Sequence, residues 1–569
     1  MTSKTNTKTS KMAKTDIFDE KALFFIPLGG AEQFGVNLNV YVSHGDMLAI
    51  DCGIGFADEN FPGIDLLLPD PQFIEDHREH LKAFIITHAH EDHIGAIAHV
   101  WERFGVPIYA TPFTAAILRE KFKEKNIQRA PIKIVKAGEQ VDIGNFKVRF
   151  VGVSHSVPDA CALIIDTPDG CIVHSGDWNL DPTPVVGAPT DPHFFKEAGD
   201  RGVIAYVGDS TNAEVPGTAG SEATVEKGLE AVFKDCTGKI AITMFSSNIA
   251  RVRSIVKAAE SSGRKVVVIG RSLHRMIGCA VDCGYLKGLP DFAKEEELHQ
   301  LPADKVVMIV TGSQGEYRAA LSKIARGDFR GVKLGRGDTV IYSARAIPGN
   351  EKNINVVKNH LSAGGVQIIT PRDTKEIIHV SGHPCRDEIA EMLSWIRPAV
   401  VVPVHGERVQ LEAHAALALE CQVPRTIVPS NGSVIRFSKG TAEIVDHVPT
   451  DVLAVDLKRI IKSDHQSIVA RRKLQFTGAV HVSLAVDGRG ELCSTPKLET
   501  VGLIDPADAD DRDIEAGLLD EILDLFDELD YDERQDDHFI AEEMRIGIRR
   551  FCQHFFGIKP KATVHVLRI

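Results

Sequence analysis

The stretch Thr87-His88-Ala89-His90-Glu91-Asp92-His93-Ile94-Gly95 constrains this chain more than any other. Three imidazoles and the Asp92 carboxylate fall within six residues, directly after the apolar run Leu81–Ile86, which reads as a buried strand. If the backbone is still extended there, His88 and His90 leave the same face and can grip one ion. Asp92 and His93 are adjacent and cannot share that face. A turn into helix over Ile94-Gly95-Ala96-Ile97 would aim them at a second, neighbouring position. Donor residues at this density are hard to satisfy except by metal.

At 569 residues the chain is too long for one core and predicts about three or four domains. No apolar run approaches the ~20 residues of a membrane span. Met1–Thr15 is rich in Thr, Ser and Lys without an apolar segment, so a disordered tail is expected over residues 1–18 rather than a secretory signal. Ten cysteines are scattered without a CxxC pair, which points to free thiols in a reducing cytoplasm. The net charge of −14 argues at first against nucleic acid. Between Asp505 and Asp537, however, sixteen carboxylates face only Arg512 and Arg534, a local charge of −14. The rest of the chain is near neutral and free to carry basic surfaces.

The pattern from Leu23 to Val207 is of short strands with interspersed helices, which implies a sheet-on-sheet core covered by helices. A helix is expected from about Ile94 to Phe104. From about Ser221, helix and buried strand alternate as in a doubly wound parallel sheet. Its strand ends carry small polar loops, Phe245–Asn248, Gly270–Ser272, Thr311–Gly315 and Ser343–Arg345, where such sheets bind anions. The first pattern returns near Glu376–His383, so the second domain interrupts the first. Asp451–Phe476, with six basic residues from Lys458 to Lys473, reads as a connecting arm able to touch RNA or simply to be solvated. The final ~90 residues read as an α+β domain, with strands near Ala479–Val486, Thr500–Ile504 and Ala562–Leu567. Its acidic helix carries an apolar stripe from Ile514 to Leu529 that fits a domain core or a subunit interface.

Further donors stand where strands end: His155 after Phe146–Val153, Asp177 in His174-Ser175-Gly176-Asp177, and His405 after Val400–Val404. Singly, such residues are caps or hydrogen-bonded core groups. As a set with the His88–His93 turn they complete two sites.

The order Asp51, His88–His93, His155, Asp177 resembles the metallo-β-lactamase superfamily, and Asp209, His383 and His405 flank a second domain as in its β-CASP nucleases. Gly208–Glu214, Ser247-Asn248-Ile249, Thr311–Glu316, Ile347–Glu351 and His379-Val380-Ser381-Gly382-His383 are similar to bacterial ribonuclease J over nearly the whole chain. The implied fold is a metallo-β-lactamase αββα sandwich (19–212 and 373–450) interrupted by a doubly wound α/β β-CASP domain (213–372). A linker (451–477) and a small C-terminal α+β domain (478–569) follow.

By that resemblance His88, His90 and His155 bind one zinc, Asp92, His93 and His405 bind another, and Asp177 bridges them. Mn²⁺ or Mg²⁺ could replace Zn²⁺, and Asp51 orients the ligand turn. Asp92, Asp177, Asp209 and His383 form the catalytic group, His383 contacting the scissile phosphate or protonating the leaving oxygen with Asp209 as its partner. Ser247, Asn248, Ile249 and His379–His383 hold phosphates of a single RNA strand. The implied activity is 5′-to-3′ exonucleolytic decay of 5′-monophosphorylated RNA with endonucleolytic cleavage. It belongs to RNA processing, in a homodimer or homotetramer formed through the C-terminal domain, with possible decay-complex partners and no membrane.

Three stretches depart from the family pattern. The first turn is Gly29-Gly30-Ala31-Glu32-Gln33-Phe34-Gly35, where Gly-Glu-Ile-Gly is usual, and different packing is expected. Ser343-Ala344-Arg345-Ala346-Ile347 carries an alanine and an arginine where serines are expected, so Arg345 either strengthens phosphate binding or narrows the pocket. Pro384 and Cys385 are also unusual. The alternatives are a weakly catalytic RNA-binding subunit of a decay complex, a β-CASP nuclease acting on DNA, and a thioesterase or lactonase, which would lack the inserted domain.

Overall fold

The computed structural model describes residues 17–438 and 440–569. The tail expected over residues 1–18 lies outside the described residues as far as residue 16. Ile17 and Phe18 are buried, and Phe18 stacks on His80 with centroids 4.2 Å apart. The chain divides into two compact units, Met1–Gly55 with Leu68–Val452 and Phe56–Leu67 with Leu453–Ile569.

Two sheets face each other in the first unit. One has eight strands in the order Thr441–His447, Ser433–Ser438, Leu23–Gly29, Leu38–Ser43, Asp46–Ile50, Leu81–Ile86, Ile108–Ala110, Ile132–Ile134. The other has seven, in the order Arg425–Thr426, Val400–Val404, Val203–Asp209, Gly170–His174, Cys161–Thr167, Phe146–Gly152, Gln140–Ile143. Alternate residues of each turn inward: Leu48, Ile50, Ala83 and Ile85 from one sheet meet Phe146, Val148, Phe150 and Leu163 from the other in one apolar cluster. Each such leucine, isoleucine, valine or phenylalanine contributes about 1.5–3 kcal/mol on burial. Leu81–Ile86 is buried on both faces except at Lys82, as its nearly unbroken apolar run requires.

Within the same unit, residues 222–369 build a five-stranded sheet in the order Lys265–Ile269, Val306–Val310, Ile240–Thr243, Thr339–Tyr342, Gln367–Ile369, parallel throughout. Its departure and return points are neighbours. Val203–Asp209, before it, pairs in parallel with Val400–Val404, after it, with Asp209 opposite Val404. Gly170–His174 lies on the other side of Val203–Asp209, also parallel. Three adjacent strands therefore deliver Asp177, Asp209 and His405 from their carboxyl ends. The parallel pair Asp46–Ile50 and Leu81–Ile86 delivers Asp51 and the His88–His93 turn from the facing sheet.

The helix expected over Ile94–Phe104 is broken into Glu91–Ile94, Ile97–Val100 and a 3₁₀ turn at Trp101–Arg103. A Cβ on Gly95 would stand 2.5 Å from the Glu91 carbonyl oxygen, so the chain bends tightly there.

In the second unit a sheet ordered Lys497–Val501, Ala479–Val486, Lys561–Arg568 packs under helices Ala509–Glu528 and Asp537–Phe556. The expected strand at Thr500–Ile504 thus begins and ends three residues early. Leu518, Ile522 and Phe526 of the acidic stripe belong to this domain's own core. The connecting arm is a hairpin, Leu453 opposite Lys462, followed by helix Gln466–Thr477. Two of its basic residues serve structure: Arg471 pairs with Asp456 at 2.7 Å, and Arg472 donates to the Asn60 carbonyl at 3.0 Å.

Candidate metal centre

Strand Leu81–Ile86 ends, the chain bends at Ala89 and is extended again at His90 (φ −72°, ψ 148°), and a four-residue helix begins at Glu91. His88 and His90 share one side, and the helix throws Asp92 and His93 to the other. Residues 51–53 cradle this turn. Cys52 N–H donates to the His93 carbonyl at 2.7 Å, and a Cβ on Gly53 would fall 1.5 Å from the Asp92 carbonyl oxygen, so only glycine fits.

Two donor sets result. His88 Nε2 lies 3.2 Å from His90 Nδ1, and His155 Nε2 lies 3.0 Å from the same atom. His405 Nε2 lies 3.2 Å from Asp92 Oδ2, and His93 Nε2 lies 3.2 Å from Asp177 Oδ2. Asp177 Oδ2 is also 3.6 Å from His88 Nε2, 3.6 Å from His405 Nε2 and 3.9 Å from His155 Nε2, so it faces both sets.

Four of the five imidazoles have the outer nitrogen engaged at 3.0 Å or less, which fixes the tautomer and turns a lone pair inward. His93 Nδ1 donates to Asp51 at 2.8 Å, and His155 Nδ1 donates to the Gly382 carbonyl at 2.6 Å. Thr87 donates its hydroxyl hydrogen to Asp51, so its oxygen accepts from His88 Nδ1 at 3.0 Å. Thr211 donates to Asp209 and accepts from His405 Nδ1 at 2.9 Å.

Inward lone pairs 3.0–3.2 Å apart repel unless a cation lies between them. The N···N edge of a tetrahedron with 2.0–2.1 Å bonds is about 3.3 Å, so this spacing suits a zinc-sized ion. Both oxygens of Asp177 are buried without a hydrogen-bond partner, as suits a carboxylate awaiting ions. The residues present fit two divalent cations.

Burial, reinforced by neighbouring imidazoles, holds His88 and His155 well below the ordinary imidazole range, and burial brings His90 down to about 4. Burial acts the same way on His93 and His405, but carboxylates led by Asp177 outweigh it and lift both. Asp92, Asp177 and Asp209 are held below the carboxylate range, the adjacent histidines overcoming burial.

His383 reaches this centre from the segment that follows the inserted sheet. Its Nδ1 is 2.8 Å from Asp209 Oδ2 and 3.8 Å from Asp177 Oδ2. Asn212 donates to Ser381 Oγ and to the His383 carbonyl, fixing the loop. Gly382, Ser381, Val380 and Asn248 line a cleft of about 500 Å³ beside His155. Ser247 is half-buried. Asn248 caps helix Ile249–Ser261, its Oδ1 accepting from Arg251 N–H at 2.8 Å. Ile249, expected to hold the strand, is fully buried and offers substrate no side chain. Burial, then Arg251 and Arg345, push His379 down to about 3.

Four residues assigned no role from sequence organise this centre: Thr87, Thr211, Asn212 and Arg251. The fully buried Arg251 pairs with Glu222 at 2.5 Å and donates to Ser343 Oγ at 2.6 Å. Thr87 and Thr211 adjoin ligand-bearing strand ends, and that position was their only signal. The departing turn at Gly29–Gly35 packs against the last donor, His405 N–H donating to the Gly30 carbonyl at 2.7 Å.

Family models match in the same layout. They are a beta-lactamase superfamily domain over residues 48–192, the ribonuclease J beta-CASP domain over 237–361, a Zn-dependent metallo-hydrolase RNA specificity domain over 371–424, and the ribonuclease J C-terminal domain over 467–569. Ribonuclease J of Sinorhizobium meliloti is 41% identical over 98% of this chain and 99% of its own length. The Corynebacterium glutamicum and Thermus thermophilus ribonucleases J are each 35% identical, over 94% and 80% of this chain and 74% and 81% of their own. A crystal structure of an Enterococcus faecalis protein of unknown function matches 73% of this chain and all of its own at 17% identity, with a TM-score of 0.52, a likeness of fold. With its metallo-β-lactamase sandwich, inserted β-CASP domain and C-terminal domain all matched, this chain belongs to the ribonuclease J family.

Proposed function

We propose that the chain is a metal-dependent ribonuclease that degrades 5′-monophosphorylated RNA from the 5′ end and also cleaves internally. The observation that carries this reading is the place of His383. It stands on the segment that follows the inserted sheet, within 3.8 Å of Asp177 and beside the donor sets.

Two divalent cations, Zn²⁺ by the donor types with Mn²⁺ or Mg²⁺ as substitutes, would supply Lewis acidity and an activated water for in-line displacement at phosphorus. His88, His90 and His155 would hold one, and Asp92, His93 and His405 the other, with Asp177 between them. Asp51 keeps His93 in the tautomer that binds. His383 donates from Nδ1 to Asp209, and Asp209 and Asp177 raise its pKa against the opposing effect of burial. With Nδ1 held by Asp209, a protonated His383 would carry on Nε2 a proton that it can deliver to the leaving 3′ oxygen. Val380–Gly382 and Asn248 line the cleft through which a strand would reach this group.

Assembly into a homodimer or homotetramer through the C-terminal domain belongs to the same reading. Light scattering of the full chain and of a chain ending at Thr477 tests it, the shorter form running at a lower oligomeric state.

The test of activity gives the purified protein one RNA sequence bearing either a 5′-monophosphate or a 5′-triphosphate, alongside His90→Ala. Nucleotide release from the first substrate, little from the second and none by the variant is expected. An equally active His90→Ala, or no release from monophosphorylated RNA, refutes the reading.

A further inference from the structure

The loop Ser343-Ala344-Arg345-Ala346-Ile347 closes the carboxyl end of strand Thr339–Tyr342 and stands beside the His379–His383 segment. Its hydroxyl is not available to a ligand. Ser343 is buried, and its Oγ donates to the Ile378 carbonyl at 2.6 Å and accepts from Arg251 Nη1 at 2.6 Å. Ala344 is buried and has no polar atom to offer. The one side chain here with donors to spare is Arg345.

Arg345 is exposed, and its guanidinium makes a single bond within the described residues, from Nη1 to Asn212 Oδ1 at 3.2 Å. It forms no ion pair among the described residues, although five N–H donors are present in the fork. Its backbone is fixed, the carbonyl accepting from Gln314 Nε2 at 3.0 Å while Gln314 Oε1 accepts from Ile347 N–H at 2.8 Å. Asn212 is the same amide that holds Ser381 and the His383 carbonyl. A cation without a carboxylate is thus pinned one amide away from the proposed proton donor.

We propose that Arg345 is a specificity-determining residue that binds a phosphate oxyanion of the RNA strand through its guanidinium fork. The inference rests on the ribonuclease reading. Guanidinium and phosphate match in geometry, and a charge-assisted pair is stronger than hydroxyl contacts. Two phosphates share this chemistry, the 5′-terminal monophosphate and an internal phosphodiester.

The experiment compares wild type, Arg345→Ala and Arg345→Lys on RNA with a 5′-monophosphate, on the same RNA with a 5′-hydroxyl, and on bis(p-nitrophenyl) phosphate, a single diester with no second phosphate for the loop to hold. Arg345→Ala should raise KM for RNA about tenfold, the cost of one charge-assisted bond, with kcat and hydrolysis of the small ester unchanged. The slope of log KM against log salt should fall by about 0.7, and Arg345→Lys should keep the slope while losing part of the affinity. A loss confined to 5′-monophosphorylated RNA assigns the terminal phosphate; an equal loss on 5′-hydroxyl RNA assigns an internal one. Unchanged KM and salt slope overturn the proposal, as does an equal loss on the small ester, which would mean a merely structural role. If wild type degrades no RNA, the ribonuclease reading fails on its own. Fluorescence anisotropy with a phosphorothioate RNA then decides about Arg345, a tenfold weaker complex supporting it and an unchanged one refuting it.

Discussion

His155 donates from Nδ1 to the carbonyl oxygen of Gly382 at 2.6 Å, across 227 residues of chain. One donor of the first set is therefore aimed by the segment that returns from the inserted domain.

Gly382→Ala tests that dependence. The new Cβ would meet Ser156 Oγ at 2.7 Å and His155 Cε1 at 2.9 Å, so the imidazole must swing. Loss of such an orienting contact costs about 10–100-fold in metal affinity or activity. Metal content per chain after dialysis, read with RNA decay, should fall while the unfolding midpoint stays close to wild type. Full metal content and full activity would show that His155 needs no such guide.

Asp51→Ala and His383→Ala should fail differently. Asp51 accepts from Thr87 N–H at 2.8 Å and from His93 Nδ1, so its loss should lower metal content and let excess zinc rescue part of the activity. His383 is expected to act on the leaving oxygen. Its loss should lower kcat by about 10²–10⁴-fold at unchanged metal content, with no rescue by zinc. Identical behaviour of the two variants would contradict the division of roles.

Arg251→Met should destabilise the fold by about 3–5 kcal/mol, because Glu222 is left charged and buried. The double variant Arg251→Met/Glu222→Gln should recover much of this. Urea denaturation of the three proteins measures it, and a double variant no more stable than the single one would refute the explanation.

Acid should weaken the fold through two buried neutral histidines. Burial holds His174 and His414 at about 4, whereas they titrate near 6.5 when unfolded. For a base whose folded pKa is depressed, the unfolded chain takes up the proton first. Stability is intact above about pH 6.5 and is lost between there and about pH 4, at up to roughly 1.4 kcal/mol per pH unit for each histidine. His174 Nδ1 pairs with Tyr41 Oη at 3.1 Å. His174→Asn, which can keep that bond, should give a shallower fall in urea midpoint from pH 7 to 5. An unchanged slope would exclude His174 as a source.

The donor residues were legible because each stands at a strand end, and strand ends show in local apolar runs. The helical turn at Glu91–Ile94 followed from the adjacency of Asp92 and His93, but the bend at Ala89 did not show in the spacing of His88 and His90. The partners that set the tautomers were not legible. Thr211 meets His405 across 194 residues and Arg251 meets Ser343 across 92, and nothing near either residue in sequence encodes the pairing. Lys497–Val501 was misplaced because Lys497, Glu499 and Val501 are its exposed residues and blunt the apolar signal of an edge strand. The helix after Gly95 was drawn too long because periodicity continues through the interruption at Gly95 and Ala96.

The second donor set joins Asp92 to His405, 313 positions apart. As the chain leaves the ribosome, the early donors emerge long before the strand that carries the last one. That strand docks between Val203–Asp209 and Arg425–Thr426, after the whole inserted sheet has been made. A growing chain therefore holds only part of the donors while it is still tethered to its own message, and gains the rest only once His405 has emerged.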